Sequence, residues 1–145
     1  MTALLDVNVL IALLDPGHVF HDVAHEWFGA RETAWATCPL TENGAVRVIS
    51  HPRYPNTTGA ASAAADIMAE LCALPGHVFW PDSVSLLDSE LVNTNRLTAS
   101  KQVTDSYLLA LAVANSGRLA TFDKRLPTSA ITGGEAAVLV LGGPG

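Results

Sequence analysis

The chain has 145 residues and a formal net charge of −6, with 49% apolar residues and only 15% charged residues. That length is typical of one domain, and the apolar content excludes an intrinsically disordered chain. The acidic balance argues against a protein that holds nucleic acid by broad basic coverage. The first long apolar run, residues 9–14, is too short to span a membrane and is flanked by Asp6 and Asp15 rather than by basic residues. Neither a membrane helix nor a signal peptide is predicted, and a cytoplasmic location is the default expectation.

Strands and helices alternate along the sequence. Apolar periodicity and turn residues predict strands at 3–5, 33–37, 77–80, 119–121 and 137–141. The same criteria predict helices at 9–14, 21–30, 41–49, 59–74, 85–92 and 102–116. Gly117 is predicted to cap the last helix at the C′ position. This alternation indicates an α/β fold, a three-layer α/β/α domain over residues 1–141 with a mostly parallel sheet of four or five strands, followed by a flexible Gly/Pro tail at 142–145.

The cysteines and the paired histidines of this sequence do not follow the spacings of common zinc motifs. Cys38 and Cys72 are 34 residues apart without a CxxC spacing, which favours two buried, reduced thiols over a zinc knuckle or a disulfide. His21 and His25 are one helical turn apart, but the HExxH pattern fails because Gly29 stands where the second histidine would be. A solvated helix face is the simpler interpretation of the histidines.

Four acids fall where the predicted fold collects ligands. Open α/β sheets bind ligands beyond the carboxyl ends of their strands. Asp6 follows the first strand and Asp123 the fourth, while Glu42 lies in the first turn of the helix after the second strand. Asp105 lies early in helix 102–116, on its apolar, inward face. Each acid alone has a simpler explanation as a helix cap or a turn residue, but four such acids at one end of one sheet favour a common site.

Clustered carboxylates limit the chemistry of such a site. Two carboxylates about 4 Å apart repel by about 4 kcal/mol at an effective dielectric of about 20, so their pKa values rise or a divalent cation neutralises them. Oxygen ligands favour Mg²⁺ or Mn²⁺ over zinc, and these cations support phosphodiester hydrolysis. Asn8 and Thr121 are candidates to orient a ligand or a water molecule from outside the acidic set.

Four segments together resemble the PIN-domain family, and most of all the VapC-type toxins of bacterial VapBC toxin–antitoxin pairs. The segments are LLDVNVLIALLD at 4–15, PLTENGAVRV at 39–48, VTDSYLLALA at 103–112 and LATFDKRL at 119–126. They follow the family's order and spacing over residues 3–141. The resemblance implies an Mg²⁺- or Mn²⁺-dependent endoribonuclease that cleaves tRNA or ribosomal RNA by metal-activated water and so stops translation.

The resemblance also implies roles for individual residues. The implied catalytic residues form an acidic quartet: Asp6, Glu42, Asp105 and Asp123. The three aspartates of this quartet are the implied metal ligands. Asn8 and Thr121 match small polar residues that the family carries near the first and the last acid. A homodimer is also implied, together with a cognate VapB-type antitoxin that covers the active site.

Basic residues flank the proposed site. Lys101 lies one turn before Asp105, and Lys124 and Arg125 follow Asp123 directly. These three side chains are candidates to contact RNA phosphates, and simple solvation is the alternative explanation.

Two other functions compete with the ribonuclease. A haloacid-dehalogenase-type phosphatase also has an acid after its first strand, but it needs a second aspartate where Asn8 stands. A non-catalytic binding module with the same fold is disfavoured by the intact quartet, since such a module has no need of four mutually repelling acids.

Overall fold

The computed structural model describes residues 1–142, so residues 143–145 of the predicted tail lie outside the described part of the chain. The strands are β1 Ala3–Leu5, β2 Trp35–Thr37, β3 His77–Phe79, β4 Arg118–Thr121 and β5 Val138–Val140. The α-helices are α1 Val7–Leu14, α2 His21–Ala30, α3 Pro39–Ile49, α4 Ala61–Cys72 and α5 Val103–Ala114. Within residues 1–142, no helix is both long and apolar enough for a membrane span.

One parallel sheet organises these elements. The strand order is β3-β2-β1-β4-β5, and every neighbouring pair is parallel. In the central strand, Leu4 pairs with Ala36 of β2 and with Leu119 of β4. Because all five strands run the same way, their carboxyl ends lie at one edge of the sheet. This confirms the predicted parallel α/β architecture.

Helices and loops cover both faces of the sheet. Successive side chains of a strand point to opposite faces, so Leu5 and Trp35 pack against α1 to α4, while Leu4 and Ala36 pack against α5 and loop residues such as Ile131. Strands buried on both faces are apolar at nearly every position, which explains the short apolar runs of the sequence. The three-layer prediction is confirmed.

The predicted helix at 85–92 is wrong, because local side-chain hydrogen bonds replace the helical ones. Residues 85–92 form a series of turns. The Ser85 hydroxyl accepts the backbone N–H of Leu87, and the Asp88 carboxylate accepts that of Glu90, both at 3.0 Å. Serine and aspartate compete with helix formation in this way.

The end of α5 also differs from the prediction. Ser116, with φ of 56°, takes the left-handed C′ position that the sequence assigned to Gly117. The backbone N–H of Ser116 donates to the Val113 carbonyl at 3.0 Å, and that of Gly117 donates to Ala112 at 2.8 Å. This pair of bonds is a Schellman motif, in which Gly117 is the C″ residue.

The glycine at position 117 serves close packing, which leads to a stability prediction. A Cβ there would lie 2.5 Å from the Thr2 carbonyl oxygen and 2.7 Å from the Trp80 ring. We expect Gly117→Ala to lower the free energy of unfolding by about 1–3 kcal/mol. Gly29→Ala in α2 is the matched control, since a Cβ at 29 meets nothing within 4 Å and alanine favours a helix by about 0.5–1 kcal/mol. Urea unfolding compares the two; equal midpoints for Gly117→Ala and wild type would contradict the packing argument.

Candidate active site

Asp6 joins the first strand to the first helix. It is the N-cap of α1, and its Oδ1 accepts the backbone N–H of Val7 at 2.7 Å. Its Oδ2 accepts the hydroxyl of Thr121 at 3.1 Å, and the side chain is only 8% exposed. The helix-cap explanation is therefore correct for this residue, but it accounts for only one of the two carboxylate oxygens.

Asp6 shares its edge of the sheet with two further aspartates. Thr121, the last residue of β4, accepts the backbone N–H of Asp123 at 3.1 Å with the same hydroxyl that it donates to Asp6. Asp105 lies half-buried in the first turn of α5, and Asp123 is exposed. The threonine hydroxyl thus fixes the loop that carries Asp123 relative to Asp6.

Burial and like charge raise the pKa of two of these carboxyl groups. Burial has the largest effect on Asp6, and the negative charges of Asp105 and Asp123 add to it. Hydrogen bonds from Val7 and Thr121 oppose the effect only in part, so the pKa of Asp6 is about 6 instead of 3.8. Burial, followed by the charge of Asp123, also raises the pKa of Asp105. Both carboxyl groups are therefore harder to ionise than a free aspartate, chiefly because they are buried and also because they lie near like charge.

Glu42 belongs to an adjoining cluster. It lies in the first turn of α3, and its Oε2 accepts the hydroxyl of Thr37 at 2.6 Å. The same hydroxyl oxygen lies 2.8 Å from Nε2 of His77. Ligand atoms of Glu42, Cys72 and His77 all lie within 4.8 Å of one another, which no other three His, Cys, Asp or Glu residues of the described chain achieve. The structure thus places the three aspartates at one edge and Glu42 in a separate hydrogen-bonded group beside it.

A glycine allows the helix of Glu42 to approach Asp6. A Cβ on Gly44 would lie 2.8 Å from Cγ2 of Val7, so only glycine permits the observed contact of α3 with α1. Val7 directly follows Asp6, and Glu42 is two residues before Gly44. The contact therefore packs the first turn of α1 closely against α3, one turn or less from Glu42.

Sequence reasoning missed three residues of the Glu42 cluster. Thr37 ends β2, so the strand-end rule that identified Asp6 would also have found it. Cys72 ends α4 and His77 begins β3, and neither position carries such a signal before the packing of α4 on α3 is known. Cys38 is buried as predicted, whereas the prediction of a buried thiol is wrong for Cys72, which is only partly buried.

The other predicted site residues lie at the surface. Asn8 is exposed in the first turn of α1, and the hydrogen bonds found among residues 1–142 include none from its side chain to the aspartates. Lys101, Lys124 and Arg125 are also exposed. Lys101 lies in the short 3-10 turn that precedes α5, next to the helix turn that carries Asp105.

The paired histidines of α2 bind backbone oxygens. Nδ1 of His21 lies 2.7 Å from the carbonyl oxygen of Ala12, and Nε2 of His25 lies 2.9 Å from that of Leu13. Both rings therefore donate to carbonyl groups near the end of α1, which helix geometry leaves without partners. This supports the sequence argument against a zinc pair here, although the capping role was not foreseen.

An aromatic cluster adjoins Asp123. Phe122 stacks on Phe20 with ring centroids 4.6 Å apart and an interplanar angle of 21°. The His18 ring lies 6.4 Å from Phe122, and Phe20 is 42% exposed. Phe122 directly precedes Asp123 in the chain, and an exposed aromatic ring such as that of Phe20 is the kind of surface on which unpaired bases stack.

A family comparison identifies the class of protein that has this fold and this site. The PIN-domain family matches residues 3–130, and the chain belongs to that family. The crystal structure of Mycobacterium tuberculosis VapC20, described as a sarcin–ricin loop cleaving toxin, has the same fold. It superposes with a TM-score of 0.64 at 11% sequence identity, covering 90% of this chain and 96% of that one.

Curated relatives narrow the assignment within the family. Ribonuclease VapC44 of M. tuberculosis is 52% identical over 134 residues, which are 92% of this chain and 94% of the relative. VapC39 of the same organism is 43% identical over 134 residues, covering 92% and 96% of the two chains. VapC29 is 40% identical over 140 residues, or 97% of each. The chain is thus a PIN-domain ribonuclease of the VapC type, as the sequence resemblance indicated, and neither the phosphatase nor the non-catalytic alternative is supported.

The acidic edge fits a divalent cation of the kind that PIN nucleases use. Its donor atoms are carboxylate oxygens, which Mg²⁺ and Mn²⁺ prefer. The pKa values of Asp6 and Asp105 are raised chiefly by burial and further by the negative charge of neighbouring aspartates. A bound cation would offset that charge.

The pKa of Asp6 predicts how stability depends on pH in protein treated with EDTA. The folded chain holds this proton more tightly than the unfolded chain, with a pKa of about 6 against 3.8. Wild type therefore loses stability as the pH rises from about 4 to about 6. An asparagine side chain cannot ionise and still caps α1, so we expect Asp6→Asn to gain up to about 3 kcal/mol of relative stability across this window. Urea titrations measure it, with Asp66→Asn on the exposed face of α4 as the control. A difference that does not change with pH would contradict the argument.

The Thr121 hydroxyl predicts a second effect, on cation binding. Thr121→Val keeps the side-chain shape but removes the bonds to Asp6 and to the backbone of Asp123. Loss of such supporting bonds typically weakens metal binding 10–100-fold, and we expect this range for Mn²⁺ by calorimetry. Thr121→Ser should restore the affinity, and wild-type affinity in the valine variant would show that the hydroxyl has no positioning role.

Proposed function

We propose that the protein is the toxin ribonuclease of a type II toxin–antitoxin pair, which uses Mg²⁺ or Mn²⁺ to cleave tRNA or ribosomal RNA and so stops translation. The observation that carries the proposal is the edge that brings together Asp6, Asp105 and Asp123, where neighbouring negative charge adds to burial in raising the pKa of Asp6 and of Asp105. A divalent cation would offset that charge. The VapC-type ribonucleases among its relatives support the same activity.

The site residues have different roles in the proposed reaction. Asp6, Asp105 and Asp123 hold the cation, and Thr121 keeps two of them in register. When bound, the cation offsets phosphate charge and makes water a stronger nucleophile. Glu42, held at one oxygen by Thr37, completes the acidic quartet from α3. Attack by water leaves a 5′-phosphate and a 3′-hydroxyl, whereas attack by the RNA's own 2′-hydroxyl would leave a 2′,3′-cyclic phosphate.

The surface around the site offers two kinds of RNA contact. Lys101, Lys124 and Arg125 are exposed and lie close in sequence to Asp105 or Asp123, which supports a role in contacting RNA phosphates. Phe20 and Phe122 form the adjacent stacking surface for unpaired bases. With a net charge of −6, the protein depends on such local contacts rather than on a generally basic surface.

The proposal extends to partners. We expect a VapB-type antitoxin whose arginine enters the acidic edge and replaces the charge of the cation by charge-assisted hydrogen bonds. We also expect a homodimer, which gathers the few basic residues of two chains along one RNA. Cellular RNA is the substrate, so the cytoplasm is the expected place of action.

Cleavage of total cellular tRNA and ribosomal RNA by purified protein tests the function. Wild type and Asp66→Asn should give discrete fragments with Mg²⁺ or Mn²⁺ and none with EDTA. Asp6→Asn should cut at least about 100-fold more slowly, since it removes a cation ligand and a charge. End-group analysis should find 5′-phosphates. Cyclic phosphate ends, or equal cleavage by Asp6→Asn, would contradict the proposal.

A further inference from the structure

Glu42, Cys72 and His77 direct three different ligand types at one point. The carboxylate comes from the first turn of α3, the thiol from the last residue of α4 and the imidazole from the first residue of β3. Their ligand atoms all lie within 4.8 Å of one another. The three residues are not neighbours in sequence, so their convergence is a product of the fold.

A fourth residue orients two of the three. The Thr37 hydroxyl donates its single hydrogen to Oε2 of Glu42 at 2.6 Å. The same oxygen is 2.8 Å from Nε2 of His77, which must then be the donor in that second bond. Metal ligands in proteins are typically held by such supporting hydrogen bonds. Thr37 itself is fully buried and is therefore a fixed reference point for both side chains.

The cluster is open to solvent on one side. All three residues are only partly buried. Glu42 and Cys72 also line a groove of about 730 Å³ between α3 and α4, whose other lining residues include Met68 and Arg47. A cation can reach the cluster through this groove, and a water molecule can complete its coordination.

We propose that Glu42, Cys72 and His77 form a Zn²⁺ site separate from the aspartates. Thiolate, imidazole and carboxylate are the ligands that zinc binds in tetrahedral geometry, whereas Mg²⁺ and Mn²⁺ prefer oxygen alone. Zinc–ligand distances of about 2.0–2.3 Å place ligand atoms roughly 3.5 Å apart. Ligand atoms that lie within 4.8 Å of one another therefore need to approach by at most roughly 1 Å, a movement within the range of small side-chain torsion changes.

The proton balance of binding is simple. Burial lowers the pKa of His77, although the charge of Glu42 opposes this, so the ring is neutral at pH 7. Nε2 keeps its proton and its hydrogen bond to Thr37, and the unprotonated Nδ1 is the nitrogen that binds the cation. Burial raises the pKa of the Cys72 thiol, so zinc must displace the thiol proton as the Zn–S bond forms. One proton leaves to solvent for each Zn²⁺ bound, and the thiolate together with the Glu42 carboxylate neutralises the cation.

Zinc at this site regulates the ribonuclease, a consequence that rests on the proposed function. Zinc ligation occupies an oxygen of Glu42 and offsets the negative charge that its carboxylate would otherwise bring to the acidic quartet. Occupation therefore withdraws one catalytic acid while Asp6, Asp105 and Asp123 remain free to bind Mg²⁺. Zinc thus acts as an inhibitor that does not compete with Mg²⁺ for the aspartates.

Titration with Co²⁺, a spectroscopic substitute for zinc, tests the site without reference to nuclease activity. Wild-type protein, kept reduced with a phosphine, should develop a thiolate-to-cobalt charge-transfer band and the visible bands of tetrahedral cobalt. Cys38→Ser and Asp6→Asn should show the same spectrum, because they leave the three ligands intact. Cys72→Ser should lose the charge-transfer band, and His77→Gln should weaken binding at least about 100-fold. Zn²⁺ should displace the cobalt and abolish the bands.

Several results of the cobalt titration would overturn the proposed zinc site. Absence of the band in wild type, its persistence in Cys72→Ser or its loss in Cys38→Ser would overturn the site, provided that circular dichroism shows each variant to be folded. Loss of the bands in Asp6→Asn would place the metal at the aspartates instead. Regulation is tested in the RNA-cleavage assay with saturating Mg²⁺, where Zn²⁺ should inhibit wild type but not Cys72→Ser. A cobalt spectrum in a protein that cleaves no RNA would retain the zinc site and reject the proposed function.

Discussion

The accumulation of negative charge at one edge of a short parallel sheet is the constraint on which the rest of this protein depends. Asp6 shows how it arises, because one oxygen caps α1 while the other faces Thr121 and two further aspartates. The cap and the sheet hold the carboxylate in place and prevent it from turning to bulk water. The fold therefore maintains a repulsion that protonation of Asp6, a cation or a basic partner would relieve.

A second buried acid shows that burial alone does not make such a site. Asp15 is 7% exposed, much like Asp6. Burial would raise its pKa, but hydrogen bonds from Asn56, Tyr54 and the backbone of Gly17 outweigh burial and lower the pKa. Asp15 is thus a satisfied structural acid that ties the end of α1 to the loop containing Tyr54. The two aspartates flank the same helix, and their neighbours decide their roles.

The sheet and the aspartate edge were predictable because they depend on local patterns. Apolar strands followed by acids indicate a ligand-binding edge wherever the strands run parallel, and Asp6 and Asp123 lie where that rule places them. The turns at 85–92 were not predicted, since the competition between Ser85 or Asp88 side chains and helical bonds depends on small energy differences. The left-handed conformation of Ser116 was also not predicted, since glycine is the usual residue at that position, whereas Gly117 beside it is required by its close neighbours.

The surroundings of Glu42 could not be obtained from sequence for a different reason. Its position in the first turn of α3 was evident, but its partners Cys72 and His77 are defined by how α4 packs on α3 and by which strand pairs with β2. Both depend on tertiary contacts between elements that are far apart in the sequence. Periodicity reports which face of a helix is buried, not which side chain from another helix meets it.

Because the strands are short, a side chain at one end of the sheet can contact a side chain at the other end. A strand of three residues spans only about 10 Å, so His77, at the beginning of β3, still reaches Thr37, at the end of β2. Two ends of the sheet that would be remote in a larger α/β protein are here separated by little more than one side chain. A substitution that moves His77 at one end of the sheet therefore acts on Thr37, and through Thr37 on Glu42, at the other end.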